Sequence, residues 1–110
     1  MAEKLVDRRL RLDKILRLIV KERCGAENVY YQPPANFKMA YPCIRYERSR
    51  IANRAADNKV YLQHFFYTIT VIDTKADSDM TLTLSKLPNV SYDRHYTADG
   101  LHHDVMTIYY

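Results

Sequence analysis

Glycine is almost missing from this chain. Gly25 and Gly100 are the only two among 110 residues, so a glycine-rich loop able to cradle phosphate cannot be built. With just four prolines beside them, collagenous, low-complexity and disordered character are excluded as well. Cysteine is equally scarce. Cys24 and Cys43 are too few for a disulfide scaffold or a four-cysteine zinc site, and both are expected as small, reduced, buried residues. No apolar run approaches the roughly 20 residues that span a bilayer. The first residues carry acids and bases where a secretory signal places its apolar region. A soluble protein, intracellular during synthesis and without a membrane partner, is the expectation. The serines Ser49, Ser78, Ser85 and Ser91 lie in no glycine-flanked elbow, and neither cysteine has a neighbour that would activate it. No enzyme is expected, and no cofactor.

What is present supports one globular domain over residues 1–110. A hydrophobic share of 47% supports a globular chain, and 110 residues are enough for a single core but too few for an elaborate active site with its own cofactor domain. The net charge of +4 gathers first in Arg8, Arg9, Arg11, Lys14, Arg17, Lys21 and Arg23, then in Arg45, Arg48, Arg50 and Arg54. Asp7, Asp13 and Glu22 are mixed into the first group, the pattern of a solvated helix face. Ten tyrosines are the compositional outlier. A ring with a polar tip suits strands, and it also suits surfaces that are wet before assembly and covered after it.

The apolar residues Leu5, Leu12, Ile15, Leu16 and Ile19 recur at helical spacing, with Leu10, Leu18 and Val20 broadening the stripe. One amphipathic helix is predicted from Ala2 to Cys24, stopped at Gly25 with Lys21 and Arg23 in its last turn. Val29 to Tyr31 can form at most an edge strand before Pro33-Pro34. Tyr41 to Arg48 predicts a second strand, and Ser49 to Lys59 an exposed, basic, mobile loop. Val60 to Asp73 is dense in β-branched and aromatic residues and reads as the long central strand. Asp77 to Asp79 offers a capping oxygen and negative charge for a short helix with Met80, Leu84 and Leu87, ended by Pro88. Asp99-Gly100 is a tight-turn dipeptide, so the chain is predicted to end in a β-hairpin whose apolar last residues must be buried. The fold class is α+β: a mixed or antiparallel sheet with both helices on one face.

His64, His95, His102 and His103, with Asp93, Asp99 and Asp104, are the groups that could suggest a metal or acid–base site. His102 and His103 are adjacent in a strand and so point to opposite faces, and no metal site is expected. Basic residues interleaved with aromatics leave nucleic-acid binding as the alternative class, although no reading motif accompanies the charge.

Taken together, Gln32-Pro33-Pro34, Tyr41-Pro42-Cys43-Ile44-x-Tyr46, Thr70-Val71-Ile72-Asp73 with Asp77-Ser78-Asp79, Leu87-Pro88, and Tyr96-Thr97-Ala98-Asp99-Gly100-Leu101-x-His103-Asp104 resemble the tail terminator (tail completion, or tail-to-head joining) proteins of long-tailed bacteriophages. The resemblance runs from about Tyr30 to the C-terminus. It implies a non-catalytic virion protein of the tail or neck, present in the host cytoplasm during assembly. Such a protein forms a six-fold ring with copies of itself, caps the tail tube protein, meets the head-completion or connector protein, and lets DNA pass its lumen without reading sequence. A neighbouring small neck or head-completion protein is the alternative within the same class. On this reading Tyr41, Pro42, Asp73, Asp77, Asp79, Tyr96, Asp99, Gly100 and Asp104 are structural motif residues. Asp73 with Asp77 to Asp79 would end the long strand and cap the helix, while Tyr96 to Asp104 would set the hairpin register. Arg50, Arg54, Lys59, Tyr61, Tyr109 and Tyr110 are the interface candidates.

Overall fold

Leu12, Leu16, Ile19 and Val20 fall on one face of a helix, α1 (Leu5–Cys24), and all four are buried. The computed structural model describes the backbone over residues 5–56 and 59–109 and the side chains over 8–53 and 63–109. The helix stops as its sequence predicts: Gly25 adopts a φ of 79°, and its N–H donates to the Lys21 carbonyl at 2.8 Å. Leu10 and Leu18 do not broaden the core stripe. They point outward and are 50% and 64% exposed. Cys24 is exposed too, against expectation, because it is the last helical residue and sits past the core-facing turn. Cys43 is buried, and desolvation pushes its thiol up to about 12, which leaves it inert at neutral pH.

Five strands follow: β1 (Val29–Tyr31), β2 (Cys43–Ala56), β3 (Lys59–Asp73), β4 (Val90–Ala98) and β5 (Leu101–Tyr109), with α2 (Asp79–Ser85) between β3 and β4. They form one mixed sheet in the order β1-β2-β3-β5-β4. The β1–β2 pair is parallel and the others are antiparallel. Both helices cover one face, so the fold is α+β as read. On β3 the alternation places Phe65, Tyr67, Ile69 and Val71 against the helices, joined there by Ile44 and Tyr46 from β2, Met106 and Ile108 from β5, and Met80 and Leu84 from α2. Burial of each such side chain stabilises the fold by roughly 1.5–3 kcal/mol. At the hairpin, Asp99 and Gly100 both have positive φ, 53° and 73°, as a two-residue turn between right-twisted strands requires.

The predicted loop from Ser49 to Lys59 is corrected. Its first part is strand: β2 continues to Ala56, and its ladder with β3 runs through Arg50↔Phe66, Ile51↔Phe65, Ala52↔His64 and Asn53↔Gln63 to Ala56↔Lys59. Register shifts at Arg48/Arg50 and Arg54/Ala55 mark bulges that bend and twist it. The side chains of Arg54, Lys59 and Tyr61, and all of Tyr110, lie outside the described residues.

A buried carboxylate sits within the α1–sheet interface. Asp13, expected on a solvated face, is instead beside Leu12 and Leu16 on the inner face, where it accepts hydrogen bonds from the Tyr46 hydroxyl and the Arg17 guanidinium. Arg9 donates to the Tyr46 hydroxyl at 3.2 Å and stacks over the Tyr31 ring at 4.3 Å. Burial, and then the bond to Asp13, raises the Tyr46 phenol well above its ordinary range. A carboxylate so placed is tolerable only because every partner is present.

Candidate functional site

Two features stand out against this frame: an arm and a cleft. The arm is the outer part of β2 and β3. β1 pairs with β2 only at Ile44, Arg45 and Tyr46, and β5 pairs with β3 only from Phe66 to Asp73. Among the described residues, therefore, the segment beyond Arg50 and Phe66 is a two-stranded ribbon with both outer edges unpaired. At about 3.3 Å per residue it reaches roughly 20 Å from the sheet. The radius of gyration is 15.0 Å, against about 13 Å for a compact chain of this length, and the longest extent is 51 Å. The base of the arm is braced. Arg8 lies over the Phe65 ring at 4.9 Å and donates to the Gln63 carbonyl at 3.3 Å. Arg50 covers the Phe66 ring at 4.2 Å, and the Tyr109 ring meets His64 and Phe66 at 5.2 and 5.6 Å. Of the interface candidates, the structure thus brings Arg50 and Tyr109 to one place, at the root of the arm.

The cleft, about 680 Å³, lies between α2 and the β4–β5 hairpin and is lined by Asp77, Ser78, Thr81, Leu82, Tyr92, His95 and Asp104, among others. Asp104 is its hub. The carboxylate is buried and accepts from Thr81 Oγ1 at 2.7 Å and Tyr92 OH at 2.8 Å, and its Oδ1 stands 2.9 Å from His95 Nδ1. Its role is therefore wider than hairpin register. It ties α2 on one side to β4 on the other.

Asp73 plays a matching part at the N-cap of α2, one turn before Thr81. It is 1% exposed and accepts two bonds from the Arg23 guanidinium at 3.1 and 3.2 Å, one from Ser78 Oγ at 2.9 Å and one from the Lys75 N–H at 3.2 Å. The expected capping arrangement is corrected here. Ser78 occupies the N-cap position without a side-chain cap bond, because its hydroxyl is turned to Asp73. Asp77 and Asp79 are exposed, and only Asp79, in the first turn, is placed to favour the helix dipole. Tyr41 is exposed and Pro42 follows it through a cis peptide, its carbonyl accepting from Asn28 at 3.1 Å. Tyr96 stacks on His103 at 4.6 Å across β4 and β5.

Burial pushes both the Asp73 and Asp104 carboxyls up, but the hydrogen bonds around each, with the Arg23 guanidinium beside Asp73, outweigh it and hold both below the ordinary carboxylate value. Depressed values mean that the unfolded chain binds protons first as pH falls. The stability these groups contribute is present above the ordinary range near pH 4 and is lost as pH drops through the depressed values. Thermal unfolding followed across pH should show a midpoint that falls below about pH 4, and Asp73→Asn should flatten that fall. A variant curve running parallel to the parent would locate the acid sensitivity elsewhere.

Among the described residues, no group of three or more His, Cys, Asp or Glu side chains gathers as a ligand set, and no helix is long and apolar enough to cross a membrane. The sequence groups His95 with Asp104 only as a titratable residue and carries no signal for Tyr92 and Thr81 as its partners. Their convergence depends on the β4–β5 register and on the seating of α2. A comparison with protein-family models and with curated proteins finds no match to this chain.

Proposed function

We propose that this protein is a structural component of a phage virion, a tail terminator that closes as a six-fold ring with its own copies on the end of the tail tube, stops tube growth and offers a surface to the head connector. The observation that carries the reading is the projecting β2–β3 arm. A two-stranded ribbon with free edges is marginal by itself in water, and natural proteins seldom leave such edges open unless something covers them. A neighbouring subunit of a closed ring would cover them on every copy. The exposed Leu10, Leu18, Leu82 and Tyr92 add apolar area at the other surfaces such an assembly buries.

The helix-free sheet face supports passage of DNA through the ring. By register, Arg45, Arg50 and Arg94 share that face with Phe66, Tyr96 and Tyr109, a combination that attracts phosphates without reading bases.

The test mixes the purified protein with growing tubes of a phage tail tube protein. The protein alone should run as a monomer or weak oligomer, since its exposed surface is polar and apolar by turns. On tubes, electron microscopy should show a six-fold disc at one end and arrested elongation. Undiminished elongation with no terminal density would overturn the reading, and tight DNA binding in the absence of tubes would favour the nucleic-acid class instead.

A further inference from the structure

We propose that His95 and His102 form a two-coordinate protein site for a borderline divalent cation, with Zn²⁺ as the ligand that fits best. The two histidines lie on the same side of the β4–β5 hairpin. The register pairs His95 with Asp104 and Thr97 with His102, so the two imidazoles are diagonal cross-strand neighbours, within reach of one another. Their rings stack at 5.3 Å between centroids with 29° between planes, and His95 Nε2 stands 3.3 Å from His102 Nδ1. A tetrahedral zinc ion with Zn–N bonds of about 2.0–2.1 Å separates two ligand nitrogens by about 3.3–3.4 Å. The spacing already present is that of the chelate.

Three further observations make this more than a coincidence of distance. First, the ring orientation is set. His95 Nδ1 stands 2.9 Å from Asp104 Oδ1, so Nε2, the other ring nitrogen, is the one turned toward His102. Second, Asp104 is the kind of carboxylate that orients a metal-bound histidine. It is buried and is itself fixed by Thr81 and Tyr92. Third, the other side of the pair is open. The His95 side chain is 37% exposed, so water, or a donor from another molecule, can complete the coordination. Without a cation, the two facing nitrogens are compatible only if one carries a proton pointing at the other; a cation replaces that proton. Two imidazoles suit zinc, copper or nickel far better than calcium or magnesium, which require oxygen donors.

With two protein ligands in place of four, affinity should fall well short of a closed structural zinc site. Isothermal titration of the untagged full chain with Zn²⁺ should show saturable uptake of one ion per chain. Imidazole proton resonances of His95 and His102 should shift together, with those of His64 and His103 unmoved. His102→Ala and His95→Ala should each reduce affinity by at least about tenfold, and Asp104→Asn by about 10–100-fold, the usual cost of losing an orienting partner. Because Asp104 also ties α2 to the sheet, its variant is judged only if its melting curve shows it folded. The two histidine changes, at a partly exposed edge, supply the test without that condition. Ca²⁺ should give no uptake at the same concentration. Absence of zinc uptake, or uptake unchanged in the His95→Ala/His102→Ala double variant, would overturn the proposal.

Discussion

Replacing residues 54–62 with a two-residue Asn-Gly turn should leave the domain folded and abolish its capping of tail tubes. The cut joins Asn53 to Gln63, which already face each other across the β2–β3 ladder, so a turn of this type closes the shortened hairpin without altering its register. The core scarcely notices. Phe65, beneath Arg8, is the outermost buried side chain on that ribbon among the described residues, and it is retained. An isolated two-stranded ribbon contributes little stability, so the loss should not exceed about 1 kcal/mol, or roughly 4–8 °C in melting midpoint for a small domain. Joined tails, in contrast, should drop to background, because the free edges that another subunit would cover are gone. A gentler variant, with Arg50, Arg54 and Lys59 all changed to Ala, keeps the backbone and removes charge along with the Arg50 cover on Phe66, separating strand pairing from attraction to DNA. Full tail joining by the shortened protein would show that the arm merely connects two strands.

The arm also marks the limit of what the sequence makes legible. Ser49, Asn53 and Arg54 lack the apolar alternation of a half-buried strand, so local propensity favours a loop. The segment is extended because Arg50 to Ala56 pair backbone to backbone with β3, a pairing that the side-chain pattern of Ser49 to Asn53 does not announce. Where burial set the pattern, the sequence was readable: Leu12, Leu16 and Ile19 gave α1, Phe65 to Val71 gave the central strand, and Asp99-Gly100 gave the hairpin turn. Asp13 could have been read as well. Its place one residue after Leu12 and three before Leu16 puts it on the inner face, and a lone acid there signals a buried partner such as Tyr46. The Asp73 and Asp104 clusters are of another kind. Arg23 meets Asp73 across 50 positions in the chain, and Asp104 meets Thr81 across 23. No local pattern encodes such pairs. The parity argument that set His102 and His103 on opposite faces does hold, and it is what leaves His102 beside His95 and His103 beside Tyr96.

Deleting Thr107–Tyr110 should unfold the domain, not merely weaken an interface. Three of these residues belong to β5, a strand with neighbours on both sides. Thr107, Ile108 and Tyr109 pair with Thr68, Tyr67 and Phe66 of β3, while Ile108 and Thr107 pair with Val90 and Ser91 of β4. Ile108 is 2% exposed in the main core. Losing its burial costs about 1.5–3 kcal/mol, and the cavity it leaves raises the total toward the 2–5 kcal/mol typical of a large aliphatic side chain cut back to Ala. The deletion also strips ladder partners from β3 beneath Tyr67, whose ring is fully buried, and from β4, which would keep only its pairing from Tyr92 to Ala98. Backbone groups left unpaired near a core cost about 1–3 kcal/mol each. Against a total stability of about 5–15 kcal/mol, these losses should remove the cooperative transition or lower its midpoint by tens of degrees. Ile108→Ala separates the contributions. It keeps the strand and removes only the side chain, so urea denaturation should report a loss of about 2–5 kcal/mol with a native-like slope. A deleted protein that melts like the parent and still caps tubes would mean that β3 and β4 hold together without the end of the strand between them, and the order β1-β2-β3-β5-β4 would lose its physical basis at that edge.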